Sequence, residues 1–467
     1  MDIFLKNTLS GKKEVFKSIK KGEVGMYNCG PTVYDKAHIG NLRSYIFADL
    51  LKRLFVYQGY KVNQVINITD VGHLTSDADE GEDKLEKSAR EKGQKATEIV
   101  LKYTKYFMDS IKKVNIDTST IRFVKATDHI KEQIELIKKL EKVGLTYNTP
   151  DGIYYDTSKF EKYGKLGNID IKGLQEGSRI KANPNKKNPT DFALWKFSRK
   201  DENREQEWNS PWGIGFPGWH LECSAMSVKY LGQPFDIHTG GIDHIPIHHN
   251  NEIAQSEGAY GKAQANYWLH HNHILLNKQK ISKSLGNTIY IEDIEKMDIN
   301  PLSYRYWLLT SHYSTLTNFT NKAIGAADVA LKKIINKFAE VKAGKIKSDT
   351  AKNYLQKIIK ELTNDLGTAE AIATTWEMIR DKTIESEEKL SILLEADKIF
   401  GLDLKNQIAK VKKTTNDIPP VILDLANKRN QARNEKNFIK ADELRAKIKK
   451  EGFEILDKAG GFELKKI

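Results

Sequence analysis

The chain has 467 residues, with 75 Lys and Arg against 62 Asp and Glu and a formal net charge of +13. Its 7 Trp, 19 Tyr and 17 Phe exclude a disordered polymer, and its length suggests two to four domains. No run approaches the ~18 apolar residues of a membrane span, and the first residues lack the apolar core of a signal peptide, so a cytoplasmic protein without membrane contact is expected. Two cysteines, Cys29 and Cys223, exclude a disulfide scaffold, and each needs its own explanation, the plainest being a small buried side chain. The positive balance suits an anionic partner, nucleic acid first. It is steepest over 401–467, with 16 basic against 10 acidic residues.

In chain order, 24–29 reads as a short strand closed by Gly30-Pro31. Leu42, Tyr45, Ile46, Leu50, Leu54 and Phe55 follow three-and-four spacing and predict a helix over 42–57, stopped by Gly59. The β-branched stretch 62–69 predicts a second strand. Strand–helix–strand order points to a parallel α/β sheet. Residues 81–115 are charged and helical in pattern, and 147–218 carry most of the Pro and Gly turn signals, as a loop-rich insertion would. Strand character returns at 235–238. From 300 the pattern is helical nearly to the end, bundle-like over 350–400, with a linker at 416–420.

Three clusters carry chemistry. His38-Ile39-Gly40-Asn41 stands between the first strand and the long helix, where free backbone N–H groups suit a phosphate and Gly40 lets a flat group approach. Lys280-Ile281-Ser282-Lys283-Ser284 sets two lysines three apart in a small-residue loop, a cationic clamp for phosphates or simply a solvated loop. His248 and Glu252, four apart, share one helix face, and Cys223 lies upstream, a combination that favours a metal over isolated structural roles.

Together these segments resemble a class I aminoacyl-tRNA synthetase, whose HIGH and KMSKS signatures they match in order and about 240 residues apart. More narrowly the chain resembles the cysteinyl-tRNA synthetase family over about 1–445. The match is carried by Tyr27-Asn28-Cys29-Gly30-Pro31-Thr32-Val33-Tyr34-Asp35, Asn67-Ile68-Thr69-Asp70-Val71, Asp191-Phe192-Ala193-Leu194-Trp195-Lys196, Pro217-Gly218-Trp219-His220-Leu221-Glu222-Cys223-Ser224-Ala225-Met226 and Gly240-Gly241-Ile242-Asp243. Asn41 replaces the second His of the class signature, a familiar variant, and 460–464 fits the family's terminal pattern poorly.

The resemblance implies a Rossmann-like parallel-sheet catalytic domain in two halves, 1–115 and 219–319, the second carrying the 280–284 loop. A connective insertion at 116–218 would separate them, with a helical bundle at 320–415 and a basic anticodon-binding region at 416–467 following. It implies one pocket Zn²⁺ held by Cys29, Cys223, His248 and Glu252, and ATP with Mg²⁺ as cosubstrate. His38, Gly40, Asn41, Gly240, Gly241, Lys280, Ser282 and Lys283 would meet the nucleotide, with His38, Asn41, Lys280 and Lys283 stabilising phosphate charge. Thr69 and Asp243 would hold the ammonium of L-cysteine beside an aromatic wall, Trp219. A hydrophobic pocket separates near-isosteres by only ~10²-fold, whereas zinc prefers thiolate strongly to a hydroxyl. Partners implied are ATP, cysteine and its tRNA, on a monomer. Two alternatives are a ligase joining activated cysteine to an amine-bearing sugar and a zinc-containing RNA-binding protein without catalysis. The helices toward the end argue against the first, and His38, Lys280 and Lys283 against the second.

Overall fold

The computed structural model describes the chain except residues 75–81, 170–182, 200–203, 282–285, 417–418 and 459–460. A hairpin of β1 (Phe4–Asn7) and β2 (Lys12–Val15) leads into β3 (Glu23–Asn28), α1 (Ile39–Tyr57) and β4 (Lys61–Ile68). Gly93, left-handed at φ 61°, ends α2 (Lys84–Lys92) and separates it from α3 (Ala96–Lys113). Next come β5 (Ile121–Lys125) and α4 (Ile130–Lys142), then an antiparallel sheet of β6 (Thr146–Thr149), β7 (Gly152–Tyr155), β8 (Phe192–Phe197) and β9 (Gly215–Pro217). The chain returns through α5 (Trp219–Leu231), β10 (Phe235–Gly241), α6 (Asn250–Tyr260) and β11 (Ala265–His271).

Five parallel strands lie in the order β11-β10-β3-β4-β5. From β3 the chain first builds outward through β4 and β5, and later on the other side through β10 and β11. The carboxyl ends of β3 and β10 therefore flank a topological switch point, where a crevice opens. Both faces of the sheet are covered, as parallel strands require. Met26, Ile66 and Leu269 enter one core with Leu42, Ile46 and Leu50 of α1. Their neighbours Tyr27, Val65 and Trp268 enter the other with Ile137 of α4 and Leu221 of α5.

Two boundaries differ from the sequence reading. The sheet runs past residue 115, because β5 pairs in parallel with β4. Among its described residues the inserted unit, expected as loop-rich, also carries an antiparallel sheet of β6, β7, β8 and β9, whose short strands are hidden in sequence by their flanking turn residues.

A small sheet, β12 (Ile274–Leu276), β13 (Gln279–Lys280) and β14 (Thr317–Phe319), surrounds α7 (Ile291–Lys296) and α8 (Pro301–Leu309) in sequence. The bundle follows as α9 (Asn321–Lys337), α10 (Asp349–Thr363), α11 (Thr368–Arg380), α12 (Ser386–Phe400) and α13 (Leu404–Asn416). Its Ile358, Leu393 and Phe400 share one core with α1. Two buried guanidiniums tie α1 to the segments that follow the sheet. Arg43 of α1 donates to the carbonyls of His273 (2.7 Å), Tyr313 and Thr315 (both 2.8 Å). Arg305 of α8 donates to Asp49 Oδ2 of α1 and to the Phe400 carbonyl of α12, both at 2.6 Å.

The tail is α14 (Pro420–Asn434), α15 (Phe438–Lys450) and a hairpin, β15 (Phe453–Lys458) with β16 (Gly461–Lys466), around its own small core of Ile422, Ile448, Phe453 and Ile455. The helices expected nearly to the end thus give way to strands, where Gly452 turns the chain at φ 81°. Part of the expected linker, Asp417 and Ile418, lies outside the described residues, as does Gly460. No described helix is long and apolar enough to cross a membrane.

Candidate active site

At the switch point β3 and β10 run out side by side, and Cys29 N–H donates to the Thr239 carbonyl at 3.2 Å. Gly30 then crosses β4 so closely that a Cβ would lie 1.5 Å from the Asn67 carbonyl oxygen, and its N–H is held by Asn67 Oδ1 at 2.7 Å. Here a cavity of about 390 Å³ gathers most of the expected residues. His38, Gly40, Asn41, Thr69, Trp219, Gly241, Asp243 and Lys280 all line it, as do Cys29, Cys223 and His248. Glu252 stands behind the wall, fully buried. Gly240 is not on the wall: a Cβ there would meet His244 Nδ1 and His249 Cε1 at 2.7 Å, so its bareness makes room for imidazoles. Ser282 and Lys283 lie outside the described residues.

At one end, His38 caps α1. Its Nδ1 accepts from Asn41 N–H (3.3 Å), while Asn41 Oδ1 accepts from His38 N–H (3.0 Å). This reciprocal cap starts the helix three residues before the apolar periodicity does. Gly40 must be bare, since a Cβ would lie 2.9 Å from His38 Cε1. The same point is 3.8 Å from Ile281 Cδ1, so the two signatures meet across the cavity mouth. Lys280, at the end of β13, is exposed there.

At the other end, donor atoms of Cys29, Cys223, His248 and Glu252 lie within 4.8 Å of one another. A second set, Cys29, His238, His249 and Glu252, meets the same limit. The two sets share Cys29 and Glu252 because a single wide turn, Ile245–His249, turns the consecutive imidazoles of His248 and His249 both inward. Cys29 Sγ is 3.2 Å from His249 Nε2, and His249 Nδ1 is 2.8 Å from His270 Nε2. His248 Nδ1 is 2.8 Å from His220 Nδ1. Glu252 Oε2 accepts from His238 Nε2 (2.9 Å) and Gln264 Nε2 (3.1 Å). Its Oε1 is 3.0 Å from His248 Nε2, yet no donor is aligned on it.

The electrostatics of this cluster describe protons that a cation would replace. Burial raises the Cys29 thiol, and the Cys223 thiol is pushed well up by its bond with Cys29 and by burial. Burial works against a charged His248, but the adjacent Cys223 thiol and Glu252 carboxylate win and lift it to about 10. Glu252 is held low by His238 and His248 despite burial. Burial pushes His220, His249 and His270 down, keeping them neutral. A buried carboxylate oxygen without a donor, two thiols and an imidazole suit a borderline-soft divalent ion, and the set fits Zn²⁺.

Between the two ends lie the side walls. The Trp219 ring packs 4.6 Å from the His248 ring, with Lys84 Nζ 6.0 Å from its centroid. Thr69 closes β4 and donates to Glu222 Oε2 at 2.9 Å. Asp243 is partly exposed, 4.0 Å from His273 Nε2; burial opposes its charge, but His244 and His273 hold its carboxyl below the usual range. Sequence reasoning missed His73, Lys84, Lys196, His244 and His271, which also line the cavity. His244 was one residue from Asp243 and could have been found. His73 and Lys84 arrive only by tertiary packing.

Comparison with known proteins places the chain in a family. Residues 15–329 match the family described as tRNA synthetases class I (C) catalytic domain. A "Cysteine--tRNA ligase" of Treponema denticola is 44% identical, with 100% of both chains covered. "Cysteine--tRNA ligase 1" of Burkholderia lata is 44% identical over 99% of this chain and 97% of its own. Among solved structures, Mycobacterium tuberculosis methionyl-tRNA synthetase bound by methionyl-adenylate shares the fold at TM-score 0.56 and 14% identity, over 83% of this chain and 92% of that one. A LeuRS–tRNA–LeuAMS complex from Agrobacterium radiobacter does so at TM-score 0.60 and 11% identity, over 85% and 86%. With a catalytic-domain match over two thirds of its length and full-length relatives at 44% identity, the chain belongs to the cysteine–tRNA ligase family of class I aminoacyl-tRNA synthetases.

Proposed function

We propose that the enzyme activates L-cysteine as cysteinyl-adenylate in this cavity and transfers it to the terminal adenosine of its tRNA, acting as a monomer in the cytoplasm. The carrying observation is the convergence, in one cavity, of the helix-capping His38 and Lys280 at one end and the Cys29–Cys223–His248 group at the other. The cysteine carboxylate attacks the α-phosphate of ATP and pyrophosphate leaves. The chain supplies positioning and charge rather than a covalent intermediate. His38 and Asn41 at the start of α1 face the phosphates, Lys280 and Lys283 pair with the pyrophosphate as charge develops, Gly40 and Gly241 admit the nucleotide, and Mg²⁺ travels with ATP. Thr69 and Asp243 take the substrate ammonium, and Trp219 forms the wall. Cys29, Cys223, His248 and Glu252 would hold a zinc ion, which supplies a soft Lewis-acid site that favours a thiol over the hydroxyl of serine.

The basic tail would read the tRNA. ATP–pyrophosphate exchange with cysteine and with serine tests the first step, and removal of 415–467 separates the second. Exchange should be strong with cysteine and at least ~10²-fold weaker with serine, beyond what an apolar pocket alone achieves. The folded truncated enzyme should keep exchange and lose most aminoacylation. Equal exchange with serine would remove the substrate assignment, and intact aminoacylation would remove the tail's role.

A further inference from the structure

Glu222 is fully buried on α5 and is not part of the cavity wall. Both its oxygens are nevertheless committed to residues that are. Oε2 accepts the hydroxyl proton of Thr69 at 2.9 Å, and Oε1 is in contact with His73 Nε2. Thr69 Oγ1 also accepts from Asn67 Nδ2 at 3.0 Å. A hydroxyl has one proton and two acceptor positions. Thr69 gives its proton to Glu222 and one acceptor position to Asn67. What it retains for the cavity is a single acceptor position and no donor.

We propose that Glu222 is a positioning residue that makes Thr69 an acceptor-only group and so selects the ammonium of the amino acid. This rests on the reading that Thr69 meets that ammonium. An N–H donor finds a lone pair of fixed direction. A ligand lacking the amine leaves that lone pair unmet over a buried carboxylate, which costs affinity. Without a carboxylate behind it, the Thr69 hydroxyl is free to turn its proton into the cavity, and the distinction fades. The signal is invisible in sequence, because only the fold brings Glu222 against Thr69, 153 residues away.

The test compares two ligands that share thiol and carboxylate, cysteine and mercaptopropionate, which lacks the amine. KM for cysteine and the inhibition constant of mercaptopropionate are measured in ATP–pyrophosphate exchange on the full chain, with zinc content determined in parallel. In Glu222→Gln the preference for cysteine should fall tenfold or more with zinc retained. Thr69→Val should show a similar loss, and the double variant little further loss. An unchanged preference, an equal weakening of both ligands, or loss of zinc would each overturn the role. If Glu222→Gln does not fold, Glu222→Asp, which withdraws the carboxylate by one methylene, is read by the same ratio and the same criteria. Failure of the native enzyme to activate cysteine would instead overturn the functional reading itself.

Discussion

Two interiors of this molecule are built on opposite principles. In the bundle, Ile358, Leu393, Ile399 and Phe400 are all but fully buried in an apolar core that continues to α1. Beneath the cavity, β10 and α6 bury His238, Thr239, Asn251, Glu252, Gln255 and Ser256 just as deeply. Among the described residues, His238 Nδ1, Gln255 Nε2 and Ser256 Oγ find no hydrogen-bond partner there. Each such atom costs about 1–3 kcal/mol. A parallel strand is normally apolar on both faces, so β10 departs from its own element's rule where the cysteines and histidines converge. One interior holds the fold, and the other gathers the donor groups that the proposed function assigns to a cation and a substrate.

The largest expected effect breaks the polar side of this comparison. Cys223→Ser should lose most bound zinc and lower cysteine activation by on the order of 10²-fold or more, since even supporting partners of a metal site carry ~10–100-fold. Metal analysis beside pyrophosphate exchange decides it. A variant that is zinc-free and fully active would show that this interior needs no cation.

Next, Arg305→Ala tests the charged joint within the apolar interior, between the bundle and α1. It leaves Asp49 buried beside Arg53 with one partner fewer and frees the Phe400 carbonyl. A loss of about 3–5 kcal/mol is expected in urea unfolding. A loss below about 1 kcal/mol would mean that apolar contact alone fastens bundle to sheet.

The apolar side is sharpened by Leu393→Ala, at about 2–5 kcal/mol. Its zinc content per folded chain should stay at the native value. Falling zinc content would show that the two interiors are not separable.

How much of this was legible follows from where each signal resides. β3, α1 and β4 announce themselves because their apolar periodicity and their packing agree. The sheet over 146–217 does not, because strands such as Gly215–Pro217 are three residues long and made of turn formers. Eight of the 12 histidines fall within 220–273, a density readable in the sequence, and it marks the polar interior. Which imidazole faces which sulfur is not readable, because a wide turn at Ile245–His249 rotates two consecutive residues to the same side. Spacing alone favours His248 with Glu252. Only the fold brings His249 to within 3.2 Å of Cys29. Gly240 shows a constraint the sequence hides, since its missing Cβ also leaves room for the His244 and His249 rings.

The reciprocal cap at His38 has a chemical consequence beyond starting a helix. Nδ1 accepts from the Asn41 backbone, so in the neutral ring the proton resides on Nε2. The cap therefore selects a tautomer, and the signature imidazole is an N–H donor without having to be charged. Protonating Nδ1 would break the bond that begins α1, which ties the charge state of the ring to the order of the helix end. Nitrogen NMR shifts of the neutral His38 ring should report the Nε2-protonated tautomer, and Asn41→Ala, which keeps the backbone donor, should leave that tautomer in place.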